Sequence, residues 1–100
     1  MLAKEILKKY VVYDAPHRLI NETMLAGDAW QTMYQFPNSY RVSVVSGSMF
    51  YTDETHPYEM MVVNSEKEED TDPYGHLDEF ELLAKLVEVM EREDLNGIQE

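Results

Sequence analysis

Several features that often narrow down a function are missing from this sequence. The 100-residue chain has no cysteine, which excludes disulfides, thiolate zinc sites and a cysteine nucleophile. Its longest uninterrupted aliphatic stretch covers residues 60–63, far fewer than the roughly 20 apolar residues that a membrane-spanning helix needs. The first residues, MLAKEILKKY, carry lysines at short intervals and no apolar run of the kind found in signal peptides. We therefore expect a cytoplasmic protein with no membrane partner.

Basic residues are also scarce, and they are unevenly placed. The chain has 8 lysines and arginines against 20 acids, a net charge of −12. Residues 1–50 hold four acids and five bases, whereas residues 51–100 hold sixteen acids and three bases. An acidic surface repels phosphates, so we expect no direct binding of nucleic acid by the C-terminal half. The charge fits attraction to a basic partner, and it equally fits a role in solubility alone.

The hydrophobic content predicts one folded domain over residues 1–100. With 44% hydrophobic and 11% aromatic residues, a chain of this length forms a single modest core. Residues 29–46 alternate between two faces around a Pro-Asn-Ser turn, which predicts a β-hairpin. Residues 58–64 predict a third strand, and residues 2–10 predict a short amphipathic helix. We expect an α+β fold in which a C-terminal helix covers one face of a three-stranded antiparallel sheet.

The hairpin turn and the second face of the sheet lead to two further expectations. Pro37 and Asn38 suit the central positions of a type I turn, which leaves Ser39 where a left-handed residue is needed. The second face would still present apolar side chains. Either the N-terminal helix or a second subunit should cover Met33, Val45, Met61 and Val63.

The C-terminal helix has the clearest signals of any element. Asp78 is placed as an N-cap and Glu81 follows three residues later, which is the spacing of a capping box. Apolar residues then recur at helical spacing. The pattern predicts a helix over residues 78–93, with three acids facing water, Glu79, Glu88 and Glu91.

The stretch EKEEDTDPYG, residues 66–75, is the one segment with a biased composition. The favoured interpretation is a solvated acidic loop that leads into the helix cap. An alternative is a twelve-residue calcium loop over residues 70–81, because Asp70, Asp72 and Gly75 fall at ligand and turn positions of that motif. The fifth position, however, is a tyrosine rather than a short oxygen ligand.

No constellation of residues predicts catalysis, a metal or a cofactor. His17, His56 and His76 lie far apart in the sequence and lack the spacing of a metal site. The chain has no nucleophile elbow, phosphate loop or zinc-protease motif. We therefore expect a protein that is not an enzyme and that uses no cofactor.

Aromatic residues beside acids are the best candidates for contacts with a partner. Trp30, Tyr34 and Tyr40 lie in or beside strands and are expected in the core, whereas Tyr51 and Tyr74 lie in loops next to carboxylates. Rings and carboxylates together bind arginine and lysine side chains well. The predicted partner-binding residues are Tyr51, Asp53, Glu54, Glu66, Glu68, Glu69, Asp70, Asp72, Tyr74, Glu79, Glu88 and Glu91.

The hairpin WQTMYQFPNSYRVSVVSG resembles that of a family of small, uncharacterised tailed-phage proteins. In that family the hairpin runs Q-T-x-Y-x-F-P-N-G-Y-x-x-S-V-V, and a strand, an acidic link and a capped helix follow. The corresponding segments here are residues 31–45, 58–63 and 77–93. Residues 1–28 have no counterpart, and Ser39 replaces the glycine of the turn. The resemblance implies a phage origin and a hairpin-plus-helix layout, and it transfers no catalytic or binding residues.

These observations lead to one main hypothesis and two alternatives. We expect a small acidic phage accessory protein that acts in the host cytoplasm. It would bind and inhibit a host protein whose basic surface normally holds nucleic acid, by mimicking nucleic-acid charge in the manner of an anti-defence inhibitor. The first alternative is a homo-oligomeric structural or virion-associated module, in its simplest form a homodimer. The second is the calcium-binding loop at residues 70–81.

Overall fold

The computed structural model describes residues 2–16, 30–47 and 56–95. These residues form an α+β fold in which a helix is the first element and a helix is the last. The elements are α1 (Leu2–Ile6), a 3-10 turn (Lys8–Tyr10), β1 (Val11–Pro16), β2 (Trp30–Gln35), β3 (Arg41–Ser46), β4 (Tyr58–Val62), a second 3-10 turn (Glu68–Asp70), β5 (Tyr74–Leu77) and α2 (Glu79–Met90). Within these residues, no helix has the length and apolar composition needed to cross a membrane.

The strands form one antiparallel sheet whose spatial order, β1-β2-β3-β4-β5, follows the chain. The predicted three-stranded sheet is therefore wrong, because β1 and β5 add one strand at each edge. Three successive residues of β1 are exposed, and β5 has four residues that include Gly75 and His76, the latter with a φ of 57°. Both edge pairings also contain an irregularity. These two strands therefore form through backbone pairing with their neighbours, and they lack the alternation of buried and exposed side chains that marks β2 and β3.

The central hairpin of β2 and β3 forms as predicted, with Tyr34 opposite Val42. Two backbone hydrogen bonds close its turn, from Ser39 N to Phe36 O at 3.0 Å and from Phe36 N to Tyr40 O at 2.9 Å. Ser39 has a φ of 76°, so the left-handed conformation predicted for it is confirmed. A residue with a Cβ in that region costs about 1–2 kcal/mol, and the surrounding contacts offset this cost.

One face of the sheet and both helices enclose the hydrophobic core. Helix α2 contributes Leu82, Leu86 and Val89, each with 0% exposure, and burying a side chain of this size stabilises the fold by about 1.5–3 kcal/mol. Helix α1 lies on the same face, since Ala3 and Leu7 belong to the same buried cluster. The inward residues of the strands and the hairpin turn are Thr32, Tyr34, Phe36, Tyr40, Val42, Val44, Met60 and Val62.

The N-terminal helix does not cover the outer face of the sheet, which was one of the two expectations for that face. Helix α1 packs against α2 on the inner face and does not cover the outer one. On the outer face, Met33, Val45 and Met61 are half-buried and Val63 is 46% exposed. Neither described helix lies over these side chains, which leaves a second subunit as the part of that prediction still to be tested.

Of the three aromatic residues expected in the core, Tyr34 and Tyr40 are buried, but Trp30 is 38% exposed. Trp30 Nε1 donates to Asp14 Oδ1 at 2.7 Å, and Lys4 Nζ lies 2.9 Å from Asp14 Oδ2 and 5.5 Å from the centre of the indole ring. Burial by itself would raise the pKa of Asp14, but the hydrogen bonds outweigh it and lower the pKa. A polar cluster thus holds the indole at the start of β2.

Helix α2 begins with the predicted capping box. Glu81 N donates to Asp78 Oδ1 and Asp78 N donates to Glu81 Oε1, both at 2.8 Å. Each carboxylate therefore satisfies a backbone N–H of the first turn, and both negative charges lie at the positive end of the helix dipole. The helix ends at Met90, slightly before the predicted end at residue 93.

The other end of α2 is capped by the hairpin turn. Asn38 Nδ2 donates to Val89 O at 2.8 Å, Met90 O at 3.1 Å and Arg92 O at 3.0 Å. In return, Leu95 N donates to Asn38 O at 2.8 Å. The carbonyls that a helix leaves unpaired at its C-terminus are thus satisfied by a residue about fifty positions earlier in the chain.

Candidate functional site

The order of the strands separates the basic and acidic parts of the sequence in space. Because β1 to β5 lie side by side in chain order, the early and late parts of the chain occupy opposite edges of the sheet. Residues 2–16 and 30–47 carry two acids and four bases, a formal charge of +2. Residues 56–95 carry thirteen acids and three bases, a formal charge of −10.

Two of the three cations in residues 56–95 have partners within the protein. Lys85 Nζ lies 4.1 Å from the centre of the Tyr74 ring. The side chain of Arg92 is 9% exposed and lies 5.2 Å from the centre of the Tyr40 ring. These cation–π contacts direct both charges inward. Among the bases of residues 56–95, only Lys67 is exposed.

A buried ion pair joins the acidic loop to the end of α2. Arg92 Nη1 donates to Asp70 Oδ2 at 2.7 Å and Nη2 donates to Oδ1 at 3.3 Å. The hydroxyls of Ser65 and Tyr74 also donate to Asp70, at 2.5 and 2.9 Å. Burial by itself raises the pKa of Asp70, but these hydrogen bonds, led by that of Arg92, lower it to about 2. The bond to Asp70 in turn raises the pKa of Arg92.

The position of Asp70 corrects two predictions. Its side chain has 0% exposure, so it is not one of the surface carboxylates that could contact a partner. The twelve residues 70–81 do not form a calcium loop, because Tyr74–Leu77 is strand β5 and Glu81 belongs to the capping box of α2. The first ligand position of that motif, Asp70, is buried against Arg92 and cannot face a bound ion.

The Asp70–Arg92 pair holds the loop before β5 beside the end of α2, and both segments carry further carboxylates. Glu88 Oε2 lies 3.2 Å from Arg92 Nε. We call the carboxylates of this loop, of the end of α2 and of the segment after it the acidic surface. It consists of Glu66, Glu68, Glu69, Asp72, Glu88, Glu91, Glu93 and Asp94.

Two adjoining shallow grooves run through the acidic surface. The first has a volume of about 530 Å³, and Glu66, Lys67 and Leu95 line it. The second has a volume of about 330 Å³, shares Lys67 and Leu95 with the first, and adds Glu93 and Asp94. Carboxylates from the loop and from the segment after α2 therefore face adjoining grooves, which share the side chains of Lys67 and Leu95.

Most of the other predicted partner-binding residues belong to this surface. Tyr51, Asp53 and Glu54 lie outside the described residues. Tyr74 is half-buried between Lys85 and Asp70, so its ring is not an exposed contact. The predicted residues that are exposed on the acidic surface are Glu66, Glu68, Glu69, Asp72, Glu88 and Glu91.

Glu79 differs from the prediction that it faces water. Its Oε1 accepts from Leu2 N at 2.6 Å and its Oε2 accepts from the Tyr58 hydroxyl at 2.9 Å. Burial, helped by this hydrogen bond, raises the pKa of Tyr58 to about 12. Glu79 therefore ties the start of α1 to the start of α2 and to β4, and it is half-buried.

The sequence does not reveal the structural roles of Arg92 and Asn38. The spacing of Glu88 and Arg92 is that of a helical i,i+4 pair, which the sequence does show. The more important partner of Arg92 is Asp70, which is far away in the sequence and carries no local signal. Asn38 was identified as a turn residue, but nothing near it in the sequence reveals the helix end that it caps.

At the opposite end of α2, a second group of side chains has the donor types of a metal site. His56, Asp78 and Glu81 each offer a ligand atom, and these atoms lie within 4.8 Å of one another. His56 Nε2 is 4.0 Å from Glu81 Oε1. The three histidines lie far apart in the sequence and predict no shared site, and the β4–β5 pairing that brings His56 to the start of α2 has no local signal.

Comparisons of the chain with protein-family models, with curated proteins and with solved structures found no match.

Proposed function

We propose that this protein is a non-enzymatic inhibitor that binds a basic partner protein through its acidic surface. The observation that carries the proposal is the formal charge of −10 on residues 56–95, in which two of the three cations have partners within the fold. A surface of this kind attracts a protein rich in lysine and arginine and repels phosphates. We expect no direct binding of nucleic acid.

The rigidity of the surface supports this proposal over a role in solubility alone. A loop that serves only solubility does not need to be anchored, whereas Asp70, buried with Arg92, fixes this one to α2. A preorganised binding surface loses less conformational entropy on association than a mobile one. The carboxylates of Glu66 and Glu93, which line adjoining grooves, are thus presented together to a partner.

The partner that best fits this chemistry is a protein whose basic groove holds nucleic acid. Carboxylates on a fixed scaffold would compete with phosphates for the same arginines and lysines, since both are anionic acceptors of charge-assisted hydrogen bonds. The resemblance of the hairpin to small tailed-phage proteins suggests the setting. In that setting the partner is a host restriction, CRISPR or repair enzyme, and the inhibitor acts in the host cytoplasm.

The test is a pull-down of host proteins by the immobilised chain at about 50 mM and about 300 mM salt, a range over which multi-charge contacts weaken by orders of magnitude. A bound protein is then challenged with duplex DNA. We expect a basic nucleic-acid enzyme that is retained at the lower salt, is released by DNA and loses activity when the chain is bound. A captured protein that DNA does not release would contradict nucleic-acid mimicry.

Two variants of equal net charge show whether the acidic surface is responsible. Glu68→Gln with Glu69→Gln removes two charges from that surface. Glu5→Gln with Glu59→Gln removes two charges elsewhere, from α1 and β4. We expect the first double variant to lose most of the captured partner and the second to retain it. Equal losses would show that total charge, not this surface, governs binding.

A second candidate function is self-assembly through the outer face of the sheet. The observation that favours it is the row of half-buried apolar side chains, Met33, Val45 and Met61, that neither described helix covers. Sedimentation equilibrium at several protein concentrations tests it. A homodimer would support a structural or virion-associated module, and a monomer throughout the range would eliminate it.

A further inference from the structure

The start of α2 brings together one imidazole and two carboxylates from two separate segments. His56 precedes β4, whereas Asp78 and Glu81 belong to the capping box of α2. Their ligand atoms lie within 4.8 Å of one another. An acidic helix start is common and is not in itself a site. The histidine, which comes from another part of the chain, is what distinguishes this group.

The backbone holds the histidine in this position. In the β4–β5 pairing, Tyr58 lies opposite Leu77, so the segment before β4 runs beside the segment after β5. His56 is thereby placed next to the first turn of α2. Pro57 follows it directly, and proline restricts the residue before it to extended conformations. The position of the His56 backbone beside the first turn of α2 thus results from sheet register.

The capping box leaves a part of each carboxylate available. The box uses Oδ1 of Asp78 and Oε1 of Glu81. The second oxygen of each carboxylate takes no part in the box, and a box oxygen that accepts one hydrogen bond still has a lone pair that can bind a cation. One nitrogen and two oxygen donors suit zinc, which binds both at about 2.0–2.2 Å.

The separation of the donors fits a site that closes around its ion. Ligand atoms around a tetrahedral zinc are about 3.3 Å apart, given those bond lengths. His56 Nε2 is 4.0 Å from Glu81 Oε1, the oxygen that also accepts from Asp78 N, so a small rotation of the imidazole brings the two atoms to that distance without breaking the capping box. The His56 side chain is 39% exposed, so it has the freedom to move. Two carboxylates and a neutral imidazole would balance the charge of the ion.

We propose that His56, Asp78 and Glu81 form a zinc-binding site with three protein ligands and a fourth position open to water. The bound ion would clamp the segment before β4 to the start of α2. This site is at the opposite end of α2 from the acidic surface, and it is independent of the function proposed above.

Calorimetric titration of the untagged protein with zinc chloride tests this site. We expect saturable binding of one zinc ion per chain. The variant His56→Ala should bind at least about tenfold more weakly, because even the loss of an outer-shell partner weakens metal sites by about 10–100-fold. His76→Asn is the control: it removes a nearby imidazole outside the group, and asparagine tolerates the left-handed backbone at that position.

A second variant separates metal binding from folding. Glu81→Gln keeps an acceptor for the capping box, since glutamine serves at this position, but removes a carboxylate ligand. We expect it to fold with an unchanged helix signal in circular dichroism and to bind zinc more weakly. Zinc should also raise the Tm of the wild type and of His76→Asn, but not that of His56→Ala.

Two outcomes would overturn the site. The first is equal zinc affinity of the wild type and His56→Ala, which would assign the binding to surface carboxylates in general. The second is the absence of both a titration signal and a shift in Tm for the wild type. Magnesium is a useful comparison, because it prefers an octahedral shell of oxygens and should bind this group poorly.

Discussion

The two ends of helix α2 are satisfied in different ways. At its start, Asp78 and Glu81 satisfy two backbone N–H groups of the same turn. At its end, the carbonyls are satisfied by Asn38 from the hairpin turn, and Arg92 reaches Asp70 in the acidic loop. The capping box is a local structure that a peptide of this sequence could form, although Glu79 in the same turn also bonds to Leu2 and Tyr58. The end is a tertiary structure that exists only when three separated segments have come together.

This difference has consequences for stability and for function. A local cap contributes about 1 kcal/mol and does not depend on the rest of the fold. Removing one partner of a buried ion pair lowers the free energy of unfolding far more, because the other charge stays buried without its partner. The acidic surface surrounds the tertiary end, so its shape depends on the more cooperative of the two ends.

The largest expected effect on stability comes from removing Arg92, the cation at the C-terminal end of α2. Arg92→Ala leaves the carboxylate of Asp70 buried without its bidentate partner, and we expect a loss of about 3–5 kcal/mol in the free energy of unfolding. Urea denaturation followed by circular dichroism measures it. The matched control is Arg41→Ala, an exposed arginine whose side chain bonds to Gln35, for which we expect less than about 0.5 kcal/mol.

A rescue variant sharpens this prediction. Asp70→Asn in the Arg92→Ala background removes the unpaired charge, so it should restore part of the lost stability. The interpretation of the pair is wrong if Arg92→Ala costs no more than Arg41→Ala. It is also wrong if the second substitution adds to the loss rather than reducing it.

The same pair makes stability depend on pH in the acid range. The pKa of Asp70 falls from 3.8 to about 2 on folding, so the unfolded chain takes up a proton first as the pH falls. The stabilisation is complete above about pH 4 and is lost as the pH falls through the folded pKa near 2. At about 1.4 kcal/mol per pKa unit, its size is about 2 kcal/mol.

Urea denaturation of the wild type and of Asp70→Asn between pH 5 and pH 2 measures this contribution. The difference in stability between the two proteins should shrink by about 2 kcal/mol across that range, since the other carboxylates titrate in both. A difference that stays constant with pH would show that Asp70 does not have a lowered pKa in the folded protein.

The next effect concerns the helix carbonyls at the tertiary end. Asn38→Ala removes the donor to Val89, Met90 and Arg92, and we expect it to cost about 1–3 kcal/mol because part-buried carbonyls lose their partner. Asn38→Asp has nearly the same shape but cannot donate, and its charge faces the negative end of the helix dipole. It should therefore be less stable than Asn38→Ala, and the reverse order would show that packing, not capping, is the role of Asn38.

A smaller effect is expected at the local end. Asp78→Ala removes the N-cap and should cost about 1 kcal/mol, measured by the same urea denaturation. Asp78→Ser retains a side-chain acceptor and should cost much less. If Asp78→Ala were as destabilising as Arg92→Ala, the contrast between the two ends of α2 would not hold.

The features that could be predicted from the sequence are those that depend on residues close to each other. The β2–β3 hairpin follows from alternation around Pro37, the left-handed Ser39 from the turn type, and the capping box from the spacing of Asp78 and Glu81. The concentration of acids in the C-terminal half follows from composition alone. None of these requires knowledge of a contact between distant segments.

The features that could not be predicted depend on contacts between distant segments. Strand β5 has no pattern of its own and exists because β4 offers it an edge. Asp70 is one acid among five in a short stretch, and nothing local separates the buried one from those in water. His56 approaches Asp78 only through the register of β4 and β5. In each case, the sequence shows the residue or segment but does not show which distant part of the chain it contacts.

The smallest expected effect is at the buried hydroxyl of Tyr34. Among the described residues, this side chain has 0% exposure and its hydroxyl has no hydrogen-bond partner. Burial raises its pKa well above the usual range. An unpaired buried hydroxyl has already lost its bonds to water, so Tyr34→Phe should leave the free energy of unfolding unchanged or raise it slightly.

Tyr58→Phe is the matched comparison for this substitution. It removes the same group from a tyrosine whose hydroxyl donates to Glu79 at 2.9 Å, and it should cost about 1.5–3 kcal/mol because the acceptor is charged. Urea denaturation of both variants distinguishes a paired from an unpaired phenol near the start of α2. A loss for Tyr34→Phe as large as that for Tyr58→Phe would mean that an ordered water pairs the Tyr34 hydroxyl. The start of α2 would then depend on a buried polar network as well as on its local cap.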